Sequence, residues 1–125
     1  MTENEVATSV VDLCLKIHRA LGPGLLGSVY EEVLCFEPVK LGLNYSRQQG
    51  IPVIYNDVRM DIGFRADVIV EDKVIVEIKS VEAIAPVHHK QLLTYLKLTN
   101  FKLGLLVNFN VDLIKNGITR VVNNL

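Results

Sequence analysis

Cysteine is scarce: Cys14 and Cys35 are the two in a chain of 125 residues. Both fall in helical, apolar surroundings without a second Cys or a nearby His at metal-ligand spacing, which argues against a thiolate metal site. They read as small buried residues of a reducing cytosol. Charge of one sign is also lacking. A formal net charge of -1 argues against a protein whose main task is to coat nucleic acid through bulk electrostatics. A local basic groove stays open, because Arg47, Arg59, Arg65, Lys90, Lys97, Lys102, Lys115 and Arg120 are scattered and only folding could gather them. No apolar run approaches a membrane span, and Met1-Thr2-Glu3-Asn4-Glu5 is acidic where a signal peptide is basic. A cytoplasmic protein with no membrane partner is expected. Repeats, low-complexity tracts and linkers are missing too. What is present is 50% hydrophobic content, enough for one domain over 1–125 around one core. So small a domain has no separate recognition module, so specificity comes from this fold or from a partner, and a homodimer through a sheet edge or an apolar helix face is compatible with that.

The pattern is mixed α and β. Thr2 followed by Glu5 is a capping-box signal, and Val6, Val10, Leu13, Ile17 and Leu21 recur at helical spacing, predicting a helix over Glu3–Leu21. Gly22-Pro23-Gly24 breaks it as a tight helix-to-helix turn; the loop lacks the strand-to-helix setting and the following Lys of a phosphate cradle. A second helix opens near Leu26 and ends by Gly42, with Pro38 predicting a kink or an early stop. From Arg47 the period shifts towards two, through Val53, Tyr55, Val58, Met60 and Ile62, with Asn56-Asp57 as a turn. Runs at Gln48–Tyr55, Val58–Val70 and Lys73–Ser80 predict an antiparallel meander. Pro86 suits the first turn of a helix to about Leu98, Phe101–Asn108 reads as a strand buried on both faces, and Ile118–Val122 as a last strand. The order ααβββαββ implies an α/β fold of α+β type, a mixed central sheet flanked by helices.

Two of these strands carry charges where burial is costly. Asp67 lies in Phe64–Val70, and Glu77-Ile78-Lys79 ends Lys73–Lys79. Two carboxylates converging beside one ammonium suit a divalent cation and water activation, hence metal-assisted phosphodiester hydrolysis. Alternation puts Glu77 and Lys79 on the face of Ile75, and Asp67 on the face of Ile69. Whether the two sets meet depends on one turn. A two-residue loop pairs Val70 with Lys73 and sets Asp67 opposite Val76, on the wrong face. A three-residue loop, Glu71-Asp72-Lys73, pairs Val70 with Val74 and sets Asp67 opposite Glu77. On spacing alone the simpler reading is a charged hairpin whose Glu and Lys form a cross-strand ion pair on a solvated face.

A wider pattern favours the site. Asp67, Glu77-x-Lys79, then Gln91 and Tyr95 on the following helix resemble the PD-(D/E)XK nuclease superfamily. Upstream, the run Leu21-Gly22-Pro23-Gly24-Leu25-Leu26-Gly27-Ser28-Val29-Tyr30-Glu31-Glu32 resembles the signature of the GxxExxY proteins, a branch of it. Gly24 and Tyr30 match that signature, whereas Gly27 stands where it has glutamate. The resemblance implies a restriction-endonuclease-like core and a nuclease acting on DNA or RNA. It implies that Asp67, Glu77 and the Ile78 carbonyl hold Mg²⁺ or Mn²⁺, that Lys79 orients or activates water, and that Gln91 and Tyr95 border the site. Without it, Gln91 and Tyr95 read as a polar stripe on a helix packed by Leu92, Leu93 and Leu96. Tyr30 and Glu31 remain candidates from the second helix, Glu31 as a substitute for the missing glutamate. Gly27, Pro38 and the near-neutral charge motivate the alternative of a catalytically weak or inactive member that binds nucleic acid or a protein. Adjacent His88 and His89 point about 100° apart on a helix and read as a surface pair, and His18 as a cation at a helix end.

Overall fold

A computed structural model describes residues 1–125 apart from the side chain of Ile62, so the periodic placement expected of that side chain lies outside the described residues. Helix α1 spans Glu3–Leu21 and begins with the expected capping box: Thr2 Oγ1 accepts from Glu5 N at 3.2 Å, while Thr2 N donates to Glu5 Oε1 at 3.0 Å. Val6, Val10, Leu13 and Ile17 are buried along one stripe, but Leu21 is exposed because the stripe leaves the core at the last turn. Gly22 and Gly24 follow with φ of +71° and +100°, left-handed values that glycine adopts without steric cost. Helix α2, Gly27–Lys40, runs through Pro38 rather than stopping there. Pro38 sits in the last turn, where its missing N–H forfeits one bond and its own carbonyl accepts from Leu41 N and Leu43 N.

Strands β1 (Tyr45–Tyr55), β2 (Val58–Val70) and β3 (Val74–Lys79) form the antiparallel meander, and β1 starts three residues before its predicted boundary. Asn56 and Asp57 both have positive φ, the backbone required at a two-residue hairpin turn whose twist matches the strands. Helix α3, Pro86–Thr99, then carries the chain over to β4, Leu103–Asn108, which pairs parallel with β3. A short 3₁₀ turn, Ile114–Asn116, leads to β5, Ile118–Val122, antiparallel to β4. The sheet order is β1-β2-β3-β4-β5.

Both faces of the sheet are covered, which is why every residue of β4 is buried. On one face α1 and α2 pack Val6, Val10, Leu13, Tyr30 and Leu34 against Val68, Val76, Ile78, Leu105 and Val107. On the other, Leu92 and Leu96 of α3 pack against Ile69, Ile75, Leu106 and Val121. Cys14 and Cys35 are buried free thiols in the first layer, pushed up to about 12 and about 11 by loss of water. His18 does sit in the last turn of α1, but it is buried, and its Nε2 lies 2.8 Å from the carbonyl of Val111, tying α1 to the loop after β4. No helix among the described residues is long and apolar enough to cross a membrane.

Candidate functional site

The loop that decides the register has three residues. Val70 pairs with Val74, Ile69 with Ile75 and Val68 with Val76 across Glu71-Asp72-Lys73, so the next pair in the series is Asp67 opposite Glu77. Glu71 and Asp72 both take left-handed backbone, with φ of +55° and +51°, and Lys73 N closes the turn on Val70 O at 3.0 Å. Lys73 is the extra residue that shifts β3 by one, and with it every side chain changes face.

Beyond Val68 and Val76 the regular pairing stops and carboxylates take over. Ile78 N donates to Asp67 Oδ2 at 2.9 Å, and Asp67 N to Glu77 Oε1 at 3.4 Å. The two acids thus occupy the fork where β2 leaves β3. Ile69 and Ile75, two residues before each of them in the inward direction, pack under α3, so the acids emerge on the α3 face. The Lys79 carbonyl is turned to β4, where it accepts from Phe109 N at 3.0 Å. One step back along the alternating strand, the Ile78 carbonyl is turned to the fork.

Electrostatics fit that crowding. Glu77 is 7% exposed. Its carboxyl is pushed up to about 8, first by burial, then by the charge of Asp67 and the hydrogen bonding between the two. The positive charge of Lys79 acts weakly in the opposite sense, and Lys79 is half-buried with no ion pair among the described residues. Tyr95 is also raised, by burial and then by the charges of Glu77 and Asp67. Its ring stacks on Phe64 at 3.6 Å between centroids, which fixes the ring on the sheet. Asp67, Glu77 and Ile78 are therefore brought together, while, among the described residues, Lys79 and Tyr95 make no hydrogen bond to either acid. Gln91 lies one turn earlier on α3, exposed and with no hydrogen bond to either acid.

The side-chain ligands the fork offers are carboxylate oxygens, as a hard divalent cation requires, and two facing acids, one of them buried, are what such a cation would neutralise. The residues present fit one ion with two carboxylates. Among the described residues no group of three or more His, Cys, Asp or Glu is placed to hold a metal. Glu31 is buried close by but committed elsewhere, to Arg47 Nε at 2.7 Å and Gln48 Nε2 at 2.8 Å. Tyr30 belongs to the core: it stacks on Phe109, donates to Gly22 O at 2.6 Å and accepts from Leu25 N at 3.2 Å, stapling the turn before α2. His88 caps α3, its Nδ1 accepting from Ala85 N at 3.1 Å.

Gln48 is the site residue that sequence reasoning missed. Its amide reaches both Glu31 and, at 3.3 Å, Asp67 Oδ1. Its only sequence signal was a polar position at the start of a predicted strand, which is unremarkable on an exposed edge.

A family model for the PD-(D/E)XK nuclease superfamily matches residues 4–121. Neither a curated protein nor a solved structure gives a match. The mixed sheet between helices is the restriction-endonuclease-like architecture of that superfamily.

Proposed function

Because the chain belongs to the PD-(D/E)XK nuclease superfamily, we propose that it is a single-domain, Mg²⁺- or Mn²⁺-dependent nuclease of the GxxExxY branch, hydrolysing phosphodiester bonds of DNA or RNA. The observation that carries this reading is the three-residue β2–β3 loop, which sets Asp67 beside Glu77 rather than on the opposite face. Asp67, Glu77 and the Ile78 carbonyl would hold the cation, which when bound supplies positive charge to acidify water and to offset charge on the phosphate. Lys79, with an ammonium not spent on an ion pair, orients the attacking water and stabilises the negative charge that builds on the phosphoryl oxygens. Tyr95, held by Phe64, presents its hydroxyl to a phosphate oxygen or to water, and Gln91 extends the same edge of α3 towards the substrate backbone.

The purified chain is expected to cleave a single-stranded, duplex or branched substrate with Mg²⁺ or Mn²⁺, and to bind Mn²⁺ in a calorimetric titration. No cleavage of any of these, with no heat at millimolar metal, would leave the second reading: an inactive member that binds nucleic acid or a protein. That reading is favoured by Gly27 and by the missing third carboxylate. A homodimer through the β1 edge or the exposed Phe36 and Val39 of α2 is compatible with both readings, and light scattering distinguishes it from a monomer.

Gly27 itself gives a test. It opens α2, and a Cβ built on it would meet Ser80 N at 4.0 Å, an ordinary contact one residue beyond Lys79. A glutamate there replaces the most flexible residue and sets an acid at a helix N-terminus, stabilising the start of α2 by roughly 0.5–1 kcal/mol. Gly27→Glu is expected to tighten Mn²⁺ binding by about tenfold as a third carboxylate reaches the fork. An unchanged titration would show that α2 does not face the cation.

A further inference from the structure

Gln48 lies inside β1 between Arg47 and Gln49, which pair with Val68 and Ala66, so it is aligned with Asp67. Its φ is +53°, the left-handed region, in the interior of a strand and without being glycine. Such a backbone is strained for a residue with a side chain and persists only where its surroundings enforce it. Strain of this kind is informative when the side chain it aims has an identifiable partner.

Here it has two. The Nε2 of Gln48 has two protons, and the amide donates to Glu31 Oε1 at 2.8 Å and to Asp67 Oδ1 at 3.3 Å. Glu31 is 7% exposed and is fixed in turn by Arg47, whose Nε lies 2.7 Å from Glu31 Oε2 and whose NH1 lies 2.6 Å from Glu32 Oε2. The main-chain carbonyl of Gln48 accepts from Arg65 NH1 at 3.3 Å. Both oxygens of Asp67 are therefore held, Oδ2 by the Ile78 amide from β3 and Oδ1 by Gln48 from β1. A neutral amide suits this place, since a carboxylate there would repel two others and an apolar side chain would leave Glu31 short of a donor.

We propose that Gln48 is a positioning residue for Asp67: its strained backbone carries an amide that locks the Asp67 carboxylate and ties it through Glu31 and Arg47 to α2. This deepens the nuclease reading and rests on it for what the locked carboxylate does, but the lock itself is testable in the metal-free protein. Groups that orient a ligand change metal affinity by about 10–100-fold when removed.

The experiment compares wild type with Gln48→Gly, which accepts the left-handed backbone without strain, and Gln48→Asn, which tolerates it but has an amide one methylene short of both carboxylates. Amide hydrogen exchange on metal-free protein reads the Ile78 N–H, whose acceptor is Asp67 Oδ2. Both variants are expected to fold, to speed exchange at Ile78 relative to Val76 by about tenfold, and to weaken Mn²⁺ binding by about 10–100-fold. Exchange at Ile78 within about twofold of wild type in both variants would overturn the proposal, whatever the metal does. Wild type that takes no Mn²⁺ while Ile78 responds as expected would instead sink the nuclease reading and leave the lock standing.

Discussion

Glu77→Gln is expected to make the metal-free protein more stable at pH 8 and to abolish its capture of Mn²⁺. The Glu77 carboxyl titrates near 4.5 when solvated and about 8 in the fold, raised by burial, by the charge of Asp67 and by their hydrogen bonding. Between those values the folded state holds a proton that the unfolded state has released, so stability falls as pH rises through this window. The contribution is present in full below pH 4.5 and gone above the folded value of about 8. At about 1.4 kcal/mol per tenfold change in proton affinity, the loss is on the order of a few kcal/mol. Glutamine keeps the shape, keeps an oxygen to accept from Asp67 N, and has no charge to strand. Urea midpoints at pH 5 and pH 8 check this: the wild-type value should drop between them and that of the variant should hold. Saturating Mn²⁺ should then restore wild type at pH 8 by mass action and leave the variant unmoved. Parallel pH profiles would mean that water reaches the fork and that Glu77 is not a desolvated acid. Opposite signs for stability and binding are the mark of a group kept for chemistry at the expense of the fold.

The element order was legible because each element has a strong local signal. The capping box at Thr2 and Glu5 and the 3.6-residue stripe of α1 are properties of neighbouring residues, and so is the apolar run that becomes β4. The site was legible only conditionally. Asp67, Glu77 and Lys79 announce themselves as charges in apolar strands, but whether they meet turns on the left-handed backbone of Glu71 and Asp72. Propensity does not demand that conformation of either residue. Tertiary roles were the least visible. His18 has the sequence position of a helix-end cation, yet the carbonyl of Val111 and the ring of Phe109 draw it into the core. Gln48 escaped because an αL residue within a strand is dictated by Glu31 and Asp67, which are distant in sequence, and by nothing adjacent to it.

Lys79→Ala is expected to reduce metal-dependent cleavage by about 10²–10⁴-fold while the protein folds as before. The side chain is half-buried at the end of β3 and makes no ion pair among the described residues, so its removal leaves no partner stranded. Its main-chain bond, from Phe109 N to the Lys79 carbonyl, survives the substitution. Mn²⁺ affinity should stay within about tenfold of wild type, since an ammonium is not a ligand and its removal takes away a charge that repels the ion. The loss therefore falls on kcat rather than on metal binding. Lys79→Arg separates two accounts of the role. If the ammonium served only as a positive charge, arginine would recover most of the rate. If its proton and compact shape matter for the attacking water, arginine stays within about tenfold of alanine, because a guanidinium hardly deprotonates and reaches further. The second outcome is expected from the geometry. Lys79 follows Glu77 by two residues, so the two side chains leave β3 on the same face, and a longer, planar group on that face is not a substitute for a compact ammonium that orders a water.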